Sequence, residues 1–69
     1  MDILEKFGGR VREIRLAKGW TQERLAAEAE LSRQYVGDVE RGTRNISLVN
    51  IHKLAVALGV PISEFTGAK

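Results

Sequence analysis

The chain has 69 residues, 11 of them Lys or Arg against 9 Asp or Glu, with no cysteine and a single histidine, His52. A chain of this length is expected to be one small domain over residues 1–69. The missing cysteines exclude a disulfide framework, the lone histidine makes no metal site by itself, and no apolar run approaches the ~20 residues of a membrane span. The formal charge of +2 permits nucleic acid as a partner without demanding it, so the placement of charge matters more than its sum. The acidic opening Met1-Asp2-Ile3-Leu4-Glu5 is unlike a signal peptide, and the expected location is the cytoplasm.

In chain order, Ile3, Phe7, Val11 and Ile14 recur at steps of three and four between Asp2 and Lys18, which predicts an amphipathic helix ending at Gly19. Gly8-Gly9 interrupt it at about 1 kcal/mol each relative to alanine, so the first turns fray or bend there unless another helix packs closely on them. The secure part is Arg10 to Lys18. Arg15 lies at the edge of the apolar stripe, either solvated or facing a buried partner, and Trp20 closes the joint to the next helix. Thr21 caps a second helix with Leu25, Ala26 and Ala29 inward, and Gln22 at its first position is either a simple helix start or a phosphate contact. The corner Ala29-Glu30-Leu31 carries a glutamate where a left-handed residue is needed and glycine would be the easy choice, at a cost of about 1 kcal/mol. Ser32 caps a third helix. Rotation by about 100° per residue puts Val36, Val39 and Glu40 on one side of it and Gln34, Asp38 and Arg41 on the other, with Arg33 and Tyr35 flanking the outer face. Two short helices joined by a tight corner are the sequence form of a helix-turn-helix, whose second helix can lie in the major groove of DNA.

The residue types on that outer face suit base edges. Arginine is bidentate to guanine, glutamine to adenine, an aspartate accepts from cytosine N4, and an aromatic ring packs on a thymine methyl or sugar edge. Gly37 lets the helix sit close to the groove. Asp38 has a second reading, as a surface partner of Arg41 three residues on, and Tyr35 as partial core. Gly42 ends the helix, and Thr43-Arg44-Asn45 form a polar loop expected over the DNA backbone, with Arg33 reading a base and Arg44 mainly holding phosphate. Ser47 caps a fourth helix with Leu48, Ile51, Leu54, Ala55 and Leu58 toward the core, ending at Gly59. Val49 and Val56 lie off that stripe, seven residues apart, as a dimer seam or as scattered exposed valines. His52 and Lys53 are solvated. Pro61 opens a last short turn or helix in which Ile62 and Phe65 either anchor a dimer or close the monomer core, followed by a frayed tail from Thr66 to Lys69.

TQERLA at Thr21 to Ala26, the apolar positions Leu31, Val36 and Val39, and ERG at Glu40 to Gly42 resemble the phage repressor and Cro-type helix-turn-helix family over about Val11 to Phe65. Within that stretch, RQYVGDVERGTRN at Arg33 to Asn45 resembles the controller proteins of restriction–modification genes. The resemblance implies an all-α, compact five-helix repressor-like domain with helices 2 and 3 as the helix-turn-helix. It places Gln22, Arg33, Gln34, Tyr35, Arg44 and Asn45 on DNA-contacting positions and Arg15 and Glu40 on an internal salt bridge. The chain departs from the family at Glu30, where glycine is usual, and at Asp38, where a contacting residue is often neutral.

The expected DNA-facing set is therefore Gln22, Ser32, Arg33, Gln34, Tyr35, Asp38, Arg41, Arg44 and Asn45, and the expected homodimer seam is Val49, Val56, Ile62 and Phe65. The function that follows is a transcriptional regulator occupying a palindromic operator on double-stranded DNA. An antitoxin-like adaptor on the same scaffold is the rival, and it would show apolar anchors on the outer face of the third helix, where only Tyr35 leans that way. An enzyme is not expected, for there is no cysteine, one histidine, no glycine-rich phosphate loop after a strand and no carboxylate pair on a concave wall, and no cofactor, metal, membrane or small-molecule ligand is expected.

Overall fold

The computed structural model describes residues 2–66 as five helices: α1 (Ile3–Ala17), α2 (Gln22–Ala29), α3 (Arg33–Arg41), α4 (Leu48–Leu58) and α5 (Ser63–Thr66). Each of the first four opens on a short side chain in extended backbone whose oxygen accepts an N–H three residues on: Asp2 from Glu5, Thr21 from Arg24, Ser32 from Tyr35 and Ser47 from Asn50. Such caps satisfy a backbone donor that the helix leaves unpaired. The four helices also end alike. Trp20, Leu31, Thr43 and Val60 each donate a backbone N–H to the carbonyl five residues earlier, after a left-handed residue at Gly19, Glu30, Gly42 and Gly59. This is the 6→1 closure that stops a helix cleanly. Glu30 is the one non-glycine among them, at φ 60. Leu31 beyond it packs against the core, which holds the strained corner between α2 and α3 in place.

The core is Phe7, Val11, Leu25, Ala26, Ala29, Val36, Val39, Leu54, Ala55, Leu58 and Phe65. Helix α1 runs unbroken through Gly8-Gly9 because α3 packs directly on Gly8, where a Cβ would stand 2.0 Å from the Val39 carbonyl oxygen. Phe65, expected as a possible dimer anchor, lies instead in the monomer core at 1 % exposure. Its ring meets Phe7 edge-on, with centroids 5.2 Å apart. Arg10 holds the same helix down, donating from Nε to the Glu64 carbonyl at 2.7 Å and from Nη2 to the Glu64 carboxylate at 2.9 Å. Leu48 also differs from expectation: it shares the stripe of Ile51, Leu54 and Leu58, yet it stands 72 % exposed because the first turn of α4 projects past the packed layer. Trp20 closes the α1–α2 joint half-buried, with Lys18 Nζ 4.8 Å and the Arg24 guanidinium 4.5 Å from its ring centroid. Thr66 belongs to α5, and the rest of the tail read as frayed, residues 67–69, lies outside the described residues.

Candidate nucleic-acid interface

Helix α3 is fixed from behind by a buried ion pair. Arg15 on α1 donates from Nε to Glu40 Oε2 at 2.7 Å and from Nη2 to Glu40 Oε1 at 3.0 Å, and its third nitrogen, Nη1, reaches the Trp20 carbonyl at 2.7 Å. The two side chains are 8 % and 2 % exposed. The hydrogen bonds to Glu40 raise the arginine pKa, burial works against them, and the charge of Glu40 adds to the rise. The guanidinium therefore stays charged at any working pH. Beside this fork α1 bears on α3 by its backbone, at Gly8 and again where Glu5 lies against Gly42.

The pair continues outward. Gln22 donates from Nε2 to Glu40 Oε1 at 3.0 Å, and its Oε1 accepts from Arg33 Nη1 at 3.2 Å. The Gln22 side chain, which the sequence offered as a phosphate contact, is thus drawn inward by the spare lone pairs of a buried carboxylate. It links that carboxylate to the first arginine of α3. Ser32 spends an acceptor on the helix cap, and its hydroxyl hydrogen remains able to donate. Arg33, Gln34 and Asn45 are exposed.

At the far end of α3, Asp38 accepts from Arg41 through Oδ1 and from Arg44 through Oδ2 at 3.2 Å. The Arg44 guanidinium lies 4.7 Å from the centroid of the Tyr35 ring, and the Tyr35 hydroxyl accepts from Asn50 Nδ2 at 2.9 Å. Asn50 was not picked out from the sequence. The signal available was one amide among the apolar first residues of α4, Leu48, Val49 and Ile51, three positions after its Ser47 cap. Gly37, expected to let the helix approach the groove, is covered by one side chain of α3 and one of α2: a Cβ there would meet Arg41 Nη1 at 3.3 Å and Gln22 Oε1 at 3.6 Å. The cluster brings together Gln22, Arg33, Tyr35, Asp38, Arg41 and Arg44, with Gln34 and Asn45 beside it. Val49, Val56 and Ile62 stand apart on α4 and the segment after it, 66 %, 66 % and 38 % exposed. Among the described residues no three His, Cys, Asp or Glu gather to hold a metal, and no helix is long and apolar enough to cross a membrane.

The chain is similar to known controller proteins. The control protein C.BamHI of Bacillus amyloliquefaciens is 58% identical over 55 residues, 78% of this chain and 68% of that protein. The crystal structure of the restriction-modification controller protein C.AhdI from Aeromonas hydrophila superposes with a TM-score of 0.88 at 60% identity, covering 90% of this chain and 94% of that one. The controller protein C.Esp1396I, solved as a tetramer in complex with its natural 35 base-pair operator, superposes with a TM-score of 0.86 at 34% identity over 94% of this chain and 86% of that one. The helix-turn-helix family model matches residues 11–65, which takes in the buried fork, the corner and the whole outer face of α3, and the chain belongs to that family.

Proposed function

We infer that this protein is a sequence-specific DNA-binding transcriptional regulator of the controller kind, working in the cytoplasm as a single-domain homodimer on a palindromic operator and carrying out no catalytic step. The observation that carries this reading is the contrast between the two sides of α3. Its inner side is locked by Val36, Val39 and the Arg15–Glu40 fork, while its outer side presents Arg33, Gln34, Arg41 and the following Arg44 to solvent. A rigid backbone with polar, mostly cationic side chains on one face is what base edges and phosphates require. An adaptor would place apolar anchors there. The large exposed apolar side chains among the described residues are Ile3, Leu16, Leu48, Val49, Val56 and Ile62, none of them on α3.

Selection of bound duplex from a random pool at physiological salt tests the proposal. Enrichment of a palindrome whose half-sites lie about one helical turn, or a multiple of it, apart is the expected result. Recovery of unenriched sequence would leave only electrostatic, sequence-blind binding and overturn it.

A further inference from the structure

A surface meant for a polyanion has an anion at its centre. The Asp38 side chain is only 18 % exposed, and each of its two oxygens takes a different arginine, Arg41 and Arg44, whose side chains are 62 % and 45 % exposed. Both arginines are exposed yet tethered. Arg41 is folded back along the helix over Gly37, and Arg44 lies over the ring of Tyr35, itself tied to Asn50. The Asp38 backbone joins in: its carbonyl accepts the Thr43 N–H at 3.0 Å and the Thr43 hydroxyl at 3.2 Å, pinning the loop that carries Arg44.

We propose that Asp38 is a specificity-determining residue that acts as a built-in stand-in for phosphate, lowering affinity for random DNA while holding Arg41 and Arg44 ready for the operator. Binding to random DNA is loose and follows the cationic charge that a surface can offer. A carboxylate already bonded to two of those cations subtracts from that charge in full. In the close complex with the right sequence the same carboxylate returns part of what it takes, because both guanidinium groups are already oriented and less side-chain freedom is lost on contact. Asp38 thereby widens the ratio between operator and random DNA, the quantity on which a regulator depends among a genome of competing sites. The inference rests on the DNA-reading function above and adds a role to one residue of that surface.

The test compares the wild type with Asp38→Asn on the selected operator and on a random duplex of equal length as salt is varied. Loss of the carboxylate should raise affinity for random DNA about tenfold and for the operator about threefold, with the salt slope on random DNA steeper by about one to two units. In an Arg41→Gln/Arg44→Gln background the same substitution should add nothing, since its effect runs through those two side chains. Asp38→Ser removes the charge with a smaller side chain and takes the place of Asp38→Asn if that variant fails to fold. Equal gains on both DNAs, a gain that persists without the two arginines, or a loss confined to one base pair of the operator would each overturn the proposal, the last by showing that Asp38 reads a base itself. Failure of the wild type to select any sequence is a different result, and it would count against the function rather than against Asp38 alone.

Discussion

Arg15 and Glu40 form a closed set: all three guanidinium nitrogens are bonded, both carboxylate oxygens are taken, and no buried side-chain nitrogen or oxygen among the described residues lacks a partner. Removing one member strands the other. Arg15→Ala should therefore destabilise by about 3–5 kcal/mol, whereas Arg15→Met combined with Glu40→Met should cost far less because no charge is left buried alone. Urea denaturation of the two variants distinguishes these outcomes, and equal losses would mean that the pair contributes packing rather than charge satisfaction. Both positions were legible as inward edges of their helices. The bridge through Gln22 was not, because spacing along a chain does not say which lone pair of a buried carboxylate is left over. In the same way Arg41, three residues beyond Asp38 on one helix, was readable as its partner. Arg44 was not, since the left-handed turn at Gly42 intervenes and carries it back onto the helix.

At the scale of the helix, adjacent glycines have opposite meanings. Gly8 is buried against the α3 backbone, and a methyl group there would stand 2.0 Å from the Val39 carbonyl oxygen and 2.9 Å from that of Glu40. Neither obstacle can rotate away. Gly9, one residue on, is exposed with nothing within 4 Å of an added Cβ. Gly9→Ala should thus stabilise by about 0.5–1 kcal/mol through helix propensity alone. Gly8→Ala should destabilise by roughly 2–4 kcal/mol and loosen the reading helix, since overpacking outweighs that gain. Thermal midpoints of the two variants should move in opposite directions, and a shared direction would show that α1 does not bear on α3 as described. Caps, glycine stops and the 3.6-residue period are local signals, which is why the element order could be read from residues alone. Close approach of two backbones is not local. The doubled glycine looked like a weakness in α1, and Leu48 looked like core, because only the packed structure says what stands opposite each.

For the whole molecule, the surface remaining after the core and the reading face are subtracted is apolar on α4 and the segment after it: Leu48, Val49, Val56 and Ile62 are all open. Apolar side chains left open on one helix are the available anchors for a second copy, and a symmetric pair would double the reading surface. Val49→Glu with Val56→Glu should yield a monomer at micromolar concentration in sedimentation and lower operator affinity at least tenfold, with stability changed by no more than about 1 kcal/mol because both side chains are exposed. A wild-type chain that sediments as a monomer with and without DNA, or a double variant that still pairs, would rule out this seam. The residues alone leave Phe65 open between that seam and the monomer core, because the register of a four-residue helix against α1 is set by Phe7 and Arg10, far away in the chain.

Trp20 is the only tryptophan in the 69 residues, and its carbonyl holds the buried guanidinium while Lys18 and Arg24 sit over its ring. Its indole fluorescence is therefore an intrinsic optical probe at the hinge point between α1 and α2, quenched or shifted as those cations leave and water arrives. The folding of the domain and the integrity of the fork behind α3 can be followed on the unlabelled protein.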